Sequence, residues 1–230
     1  VRRLHDIFMW QGDIENSQAT SLMLLDLNPT YEDLTRGISE SRSLADLENM
    51  SVFYHKMVEQ DLVSPDLYND CIDTIEKNDG TNKTIEVVLG LIKLDPKSDV
   101  LLGHKLRLYS YLNDYKTVGQ TYFEIAKLRP VLPNEALYAA DAFIMIGEDK
   151  QALKALTTVK NWQEFDDNFV QEVATLAWTC DDRNLSLVAQ NILLDRTSVV
   201  ANSYFLVNSI GPVNKENLDK LIKFYEVNND

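Results

Sequence analysis

Four prolines recur along the chain at a nearly constant interval. Pro29, Pro65, Pro96 and Pro130 are separated by 36, 31 and 34 residues. Three of them close near-identical phrases, Leu27-Asn28-Pro29, Leu94-Asp95-Pro96 and Leu128-Arg129-Pro130. A period of about 34 residues marks a tandem array of helix-turn-helix units. No composition value constrains the fold as strongly.

Turn residues keep the same beat. Gly12, Asp79 and Asn113 each stand 17 residues before one of these prolines, and Gly147 and Asp181 continue the series at steps of 34. Such residues tolerate left-handed or bridge backbone geometry. An apolar stripe follows each turn: Ile85, Val88, Leu89 and Ile92; Val118, Tyr122 and Ile125; Ala152, Leu156 and Val159; Leu185, Val188, Ala189 and Ile192. That spacing predicts amphipathic helices. Each unit therefore reads as helix, tight turn, helix, and a stop at or near proline.

These residues together resemble the tetratricopeptide repeat. The best-matching stretch is Asp99 to Pro130, with Leu102, Leu106, Tyr109, the turn Asn113-Asp114-Tyr115, Val118, Tyr122, Ile125 and Pro130 on the family's large and small positions. The next stretch supplies Ala136, Ala140, Phe143, Gly147, Ala152 and Leu156 in the same register. The alanine that usually follows the turn survives only as Ala152; Ser17, Thr84, Val118 and Ser186 replace it elsewhere, and the unit from Thr30 to Ser64 is irregular. The resemblance implies an all-α solenoid, a right-handed superhelix of about seven repeats. The expected units are 1–29, 30–64, 65–98, 99–132, 133–166, 167–198 and 199–230, stacked as one domain. Asn214 to Asp230, with Leu218, Leu221, Ile222 and Tyr225 on one face, reads as a terminal capping helix. A first helix is already under way at Val1, so the sequence is expected to begin inside a longer chain. No stretch holds the run of about 18 apolar residues that a membrane span needs, so no direct membrane insertion is expected.

The charge balance is 22 basic to 36 acidic residues, a net −14. Such a surface repels phosphate backbones, so nucleic acid is not an expected partner. It also weighs against the pentatricopeptide relatives, which read RNA through basic first helices. Acids concentrate between Glu59 and Asp79, where Asp66, Asp70 and Asp73 share one helical face with Asn69 and Glu76.

The resemblance places that face in the concave groove, which first helices line. The third unit would contribute Asp66, Asn69, Asp70, Asp73 and Glu76, and the fourth His104, Arg107 and Tyr111. The fifth would add Tyr138 and Asp141, and the sixth Glu172 and Trp178. A groove running from acidic to aromatic suits a protein or peptide with a basic segment and an apolar anchor. The competing reading is a solvated acidic face beside aromatics that belong to the core. The carboxylate clamp of tetratricopeptide co-chaperones needs Lys, Asn and Arg at positions where Asp66, Asn69, Asp70 and Asp73 stand, and is excluded.

Catalytic residues, cofactor sites and metal sites are not expected. His5, His55 and His104 fall in three different units without metal-ligand spacing and read as surface or groove residues. Cys71 and Cys180 are 109 residues apart, too far along a solenoid to bridge, and read as small buried thiols. Two free cysteines are compatible with a cytoplasmic compartment. The expected function is a non-catalytic interaction scaffold. The alternatives are a regulatory domain responding to a signalling peptide and a helical-repeat subunit of an envelope or secretion assembly. An enzyme subunit built on helical repeats, such as the prenyltransferase α-subunit, fits least well.

Overall fold

The computed structural model describes residues 1–196 and Ile222. The expected seventh unit, 199–230, and its capping helix fall outside the described residues, Ile222 apart. Among the described residues there are twelve α-helices and no strand. Along the sequence they fall into six helix-turn-helix pairs: α1 (Arg2–Gln11) and α2 (Ile14–Leu24), α3 (Tyr31–Ser43) and α4 (Leu47–Glu59), α5 (Tyr68–Asp79) and α6 (Thr81–Leu94), α7 (Asp99–Tyr111) and α8 (Tyr115–Leu128), α9 (Pro133–Met145) and α10 (Asp149–Thr157), and α11 (Asp167–Thr179) and α12 (Arg183–Asp195). No described helix is long and apolar enough to cross a membrane.

The turns explain the pairing. Positive φ angles occur at Gly12, Ala45, Gly80, Asn113, Gly147 and Asp181, between the two helices of every pair. Four of the five expected turn residues, Gly12, Asn113, Gly147 and Asp181, stand in these turns; Asp79 instead ends α5 and Gly80 makes the turn, and Ala45 supplies the sixth. The next residue often caps the second helix. The carboxylates of Asp13, Asp46, Asp114 and Asp182 each accept a hydrogen bond at 3.1 Å from the backbone N–H three residues on. Such a cap contributes about 0.5–2 kcal/mol. In α1 with α2, α3 with α4 and α11 with α12, left-handed turn and capping aspartate together reverse the chain in two residues and bring the second helix back along the first.

The chain divides into two compact units, with the boundary between Leu108 and Tyr109. In the first, each helix from α1 to α6 packs on its sequence neighbours. Its centre holds Leu34, Phe53, Tyr54, Met57, Cys71, Ile72, Ile75 and Leu91, all buried. In the second, α8 to α12 pack in the same consecutive order, around Ile125, Ala136, Ala139, Leu156, Val170, Val173 and Ala177. Burying a large aliphatic or aromatic side chain contributes about 1.5–3 kcal/mol.

The position four residues after the helix-opening cap must be small or slender, because the partner helix crosses there. Ser17, Thr84, Val118, Ala152 and Ser186 occupy it and are fully buried. In the irregular second pair Met50 stands at this place and is only half-buried. Close approach is made instead through Gly37 on α3: a Cβ there would lie 2.4 Å from the ring of Phe53.

Two expectations need correction. His5 is neither a surface nor a groove residue but is buried at 1% exposure. Its Nε2 lies 2.5 Å from Glu40 Oε1 and 2.9 Å from Ser17 Oγ, and a polar cluster satisfied from three helices can sit in the core. Cys71 is buried as expected, but Cys180, at the end of α11, is half-buried.

Candidate functional site

In the first unit the acidic face of α5 is built into a ladder of ion pairs between successive first helices. Arg2 on α1 meets Asp33 on α3 at 2.7 Å, and Arg36 on α3 meets Asp6 on α1 at 3.5 Å. Arg42 on α3 and the phenol of Tyr54 on α4 both donate to Asp70. Arg107 on α7 grips Glu76 with two hydrogen bonds of 2.6 and 3.2 Å and lies 4.0 Å from Asp73. Burial, then the bond to Asp70, raises the Tyr54 phenol above its ordinary range.

His104 completes this arrangement. Its Nε2 lies 2.8 Å from Asn69 Oδ1, and Arg107 donates to its Nδ1 at 3.2 Å. Nε2 then carries the proton and Nδ1 accepts, which is the neutral tautomer. Burial, followed by the Arg107 charge, lowers the imidazole below its ordinary range. Asp70 and Glu76 are thus engaged within the chain. Asp66, in the short 3-10 turn Pro65–Leu67, and Asn69 and Asp73 are exposed.

In the second unit Tyr111 at the end of α7 is 52% exposed. With Ser110, Tyr138, Asp141 and Met145 it lines an open cleft of ≈ 380 Å³. Tyr138 is half-buried and Asp141 exposed. The protein around Asp141 nonetheless pushes its carboxyl up through desolvation. Glu172 on α11 is also raised, by burial first and then by the Asp141 charge, so two carboxylates on successive first helices repel one another. Trp178 on α11 is half-buried, with the Arg183 guanidinium 6.0 Å from its ring centre. The sequence-predicted residues therefore group by unit: Asp66 to Arg107 in the first, Tyr111 to Trp178 in the second. Arg42 and Tyr54 escaped sequence reasoning. The only signal for Arg42 was a basic residue 28 positions before Asp70.

Comparison with solved structures settles the fold. A tetratricopeptide repeat protein from Parabacteroides merdae ATCC 43184 superposes with a TM-score of 0.51 at 15% identity, over 96% of this chain and 95% of that one. The chain has a tetratricopeptide-like helical-repeat fold. The MamA protein superposes with a TM-score of 0.58 at 13% identity, over 80% of this chain and 96% of its own. A chain of the Naa15/Naa10 structure bound to HypK-THB matches 97% of this chain at 15% identity, with a TM-score of 0.50, and this chain spans 38% of it. No protein-family model and no curated protein matches the sequence.

Proposed function

We propose that the chain is a non-catalytic interaction scaffold whose first-helix faces bind a protein or peptide partner. The observation that carries this reading is the open cleft beside Tyr111, Tyr138 and Asp141. Aromatic side chains bring large contact area at low entropic cost, and they dominate affinity at protein interfaces. The raised carboxyls of Asp141 and Glu172 support a partner with a Lys or Arg, whose charge would relieve their repulsion. In the first unit Asp66 and Asp73 offer exposed carboxylates to a basic segment. Asp70, Glu76, Asn69, His104 and Arg107 hold that surface rigid. Exposed ion pairs are worth only about 0.2–1 kcal/mol each, so the acids orient and the aromatics anchor. The Naa15/Naa10 structure, bound to HypK-THB, offers a precedent for partner binding on this fold.

The test is selection of peptides from a random phage-displayed library on the full chain. Enrichment of Lys or Arg beside an aromatic or branched aliphatic residue, lost on Tyr138→Ala, supports the proposal. Selected peptides without basic residues, or insensitive to Tyr138→Ala, count against it.

A further inference from the structure

We infer that the cleft between α8 and α10 is a second docking surface, built for an acidic protein segment that carries one aromatic or branched aliphatic anchor. This cleft of ≈ 210 Å³ lies between the second helices of successive pairs, separate from the first-helix faces. Phe123, Ala126 and Ala155 make its apolar floor, Tyr122 closes its base, and Lys127 and Lys154 flank it.

Its floor is preorganised. Phe123 is 38% exposed, but its ring is held edge-on against Tyr122 at 5.5 Å and tilted against Phe143 at 5.7 Å. Gly119 makes room for this cluster, since a Cβ there would lie 2.9 Å from the Phe143 ring. The Tyr122 hydroxyl donates to the carbonyl of Ala155 at 3.3 Å, tying α8 to α10 across the base. An anchor entering such a site has little receptor ordering to overcome.

Charge selects the occupant. In a chain of net charge −14, two lysines flank this apolar floor. That arrangement favours carboxylates beside the anchor and disfavours a basic segment. Gln151 also lines the cleft, and its side-chain Oε1 is buried without a hydrogen-bond partner among the described residues. Buried acceptors are almost always satisfied, and a peptide N–H is a fitting donor. Occupant and chemistry both differ from those proposed for the first-helix faces, so the two readings stand or fall separately.

The experiment is an amide NMR titration of the isotope-labelled full chain with a short synthetic peptide, a Leu-Phe centre flanked by Asp and Glu. A Lys-flanked version and an Ala-Ala-centred version serve as comparisons. The acidic peptide is expected to shift resonances of residues 122–127 and 151–158, and the other two to shift neither group. Ala126→Trp, at an exposed position, plugs the cleft and should remove the shifts. Lys127→Glu with Lys154→Glu should weaken binding about five- to tenfold, the sum of two exposed ion pairs. Circular dichroism verifies that both variants remain helical. The inference is overturned by an absence of shifts at millimolar peptide, by shifts confined elsewhere, or by an equal response to the Lys-flanked peptide. It is equally overturned if only raising the concentration of the chain itself, or only anionic vesicles, shifts these residues.

Discussion

His5 on α1 and Glu40 on α3, 35 residues apart, meet at 2.5 Å between Nε2 and Oε1 with neither side chain more than 3% exposed. Glu40 also accepts from Ser17 at 2.6 Å and from Ser21 at 2.7 Å, both on α2. One carboxylate thus joins three successive helices. Removing it leaves a buried imidazole and two buried hydroxyls without their acceptor, which is the costly way to break a buried polar network. Glu40→Ala is expected to destabilise the chain by about 3–5 kcal/mol, read by denaturant unfolding. A double-mutant cycle with His5→Ala should give a coupling of about 1–3 kcal/mol. Additive losses would mean that the two side chains do not act together.

Ala45 holds φ +53°, at the place where Gly12, Asn113, Gly147 and Asp181 serve four of the other five turns. A left-handed alanine costs roughly 1–2 kcal/mol, whereas glycine reaches this region freely at some cost in unfolded-state entropy. Ala45→Gly should therefore stabilise the protein by about 0.5–1 kcal/mol, visible as a higher melting temperature. A lower one would show that this turn is not strained.

Much of the fold was legible in the sequence because glycine, asparagine, aspartate and proline punctuate the repeat where the backbone demands them. The turn at Ala45 was hidden because alanine carries no such signal. Met50 and Gly37 disguised the second pair by moving its close approach from one helix to another. At the candidate site, periodicity placed acids and aromatics on first helices. It could not show which acids were already engaged, because Asp70 meets Arg42 and Tyr54 from other helices. His5 was misread because a buried polar cluster depends on partners 12 and 35 residues away.

Asp33 gives a pH dependence. The hydrogen bond from Arg2 chiefly, with the Thr30 backbone and hydroxyl, holds its carboxyl far below the usual carboxylate range. The native state therefore binds fewer protons than the unfolded chain in acid. Its stabilisation is complete above the ordinary carboxylate pKa of about 3.9 and is lost as pH falls toward the native value. Asp33→Ala, which also removes a capping-box partner, should cost about 1–2 kcal/mol at neutral pH. That difference should shrink in thermal melts below about pH 4. A difference that grows on acidification contradicts the sign.

The two thiols should separate by reactivity. Burial first, then the Asp70 charge, pushes the Cys71 thiol up to about 12. Burial also raises the half-buried Cys180. With a disulfide reagent at mildly alkaline pH, the folded chain should release one equivalent slowly from Cys180, and the denatured chain two. Cys180→Ser should leave the folded chain silent. Rapid reaction of both thiols without denaturant would place Cys71 outside the core.

Partner binding by the first-helix face is tested most directly by calorimetry with a peptide selected on the full chain, using Tyr138→Ala, Asp141→Asn and Glu86→Gln. Glu86 is an exposed residue on α6 that belongs to neither proposed surface. Tyr138→Ala is expected to weaken binding about tenfold or more. Asp141→Asn should weaken it about two- to fivefold, less so at high salt, and Glu86→Gln should leave it unchanged. Unaltered affinity in both Tyr138→Ala and Asp141→Asn would contradict the assignment of this face as the binding surface.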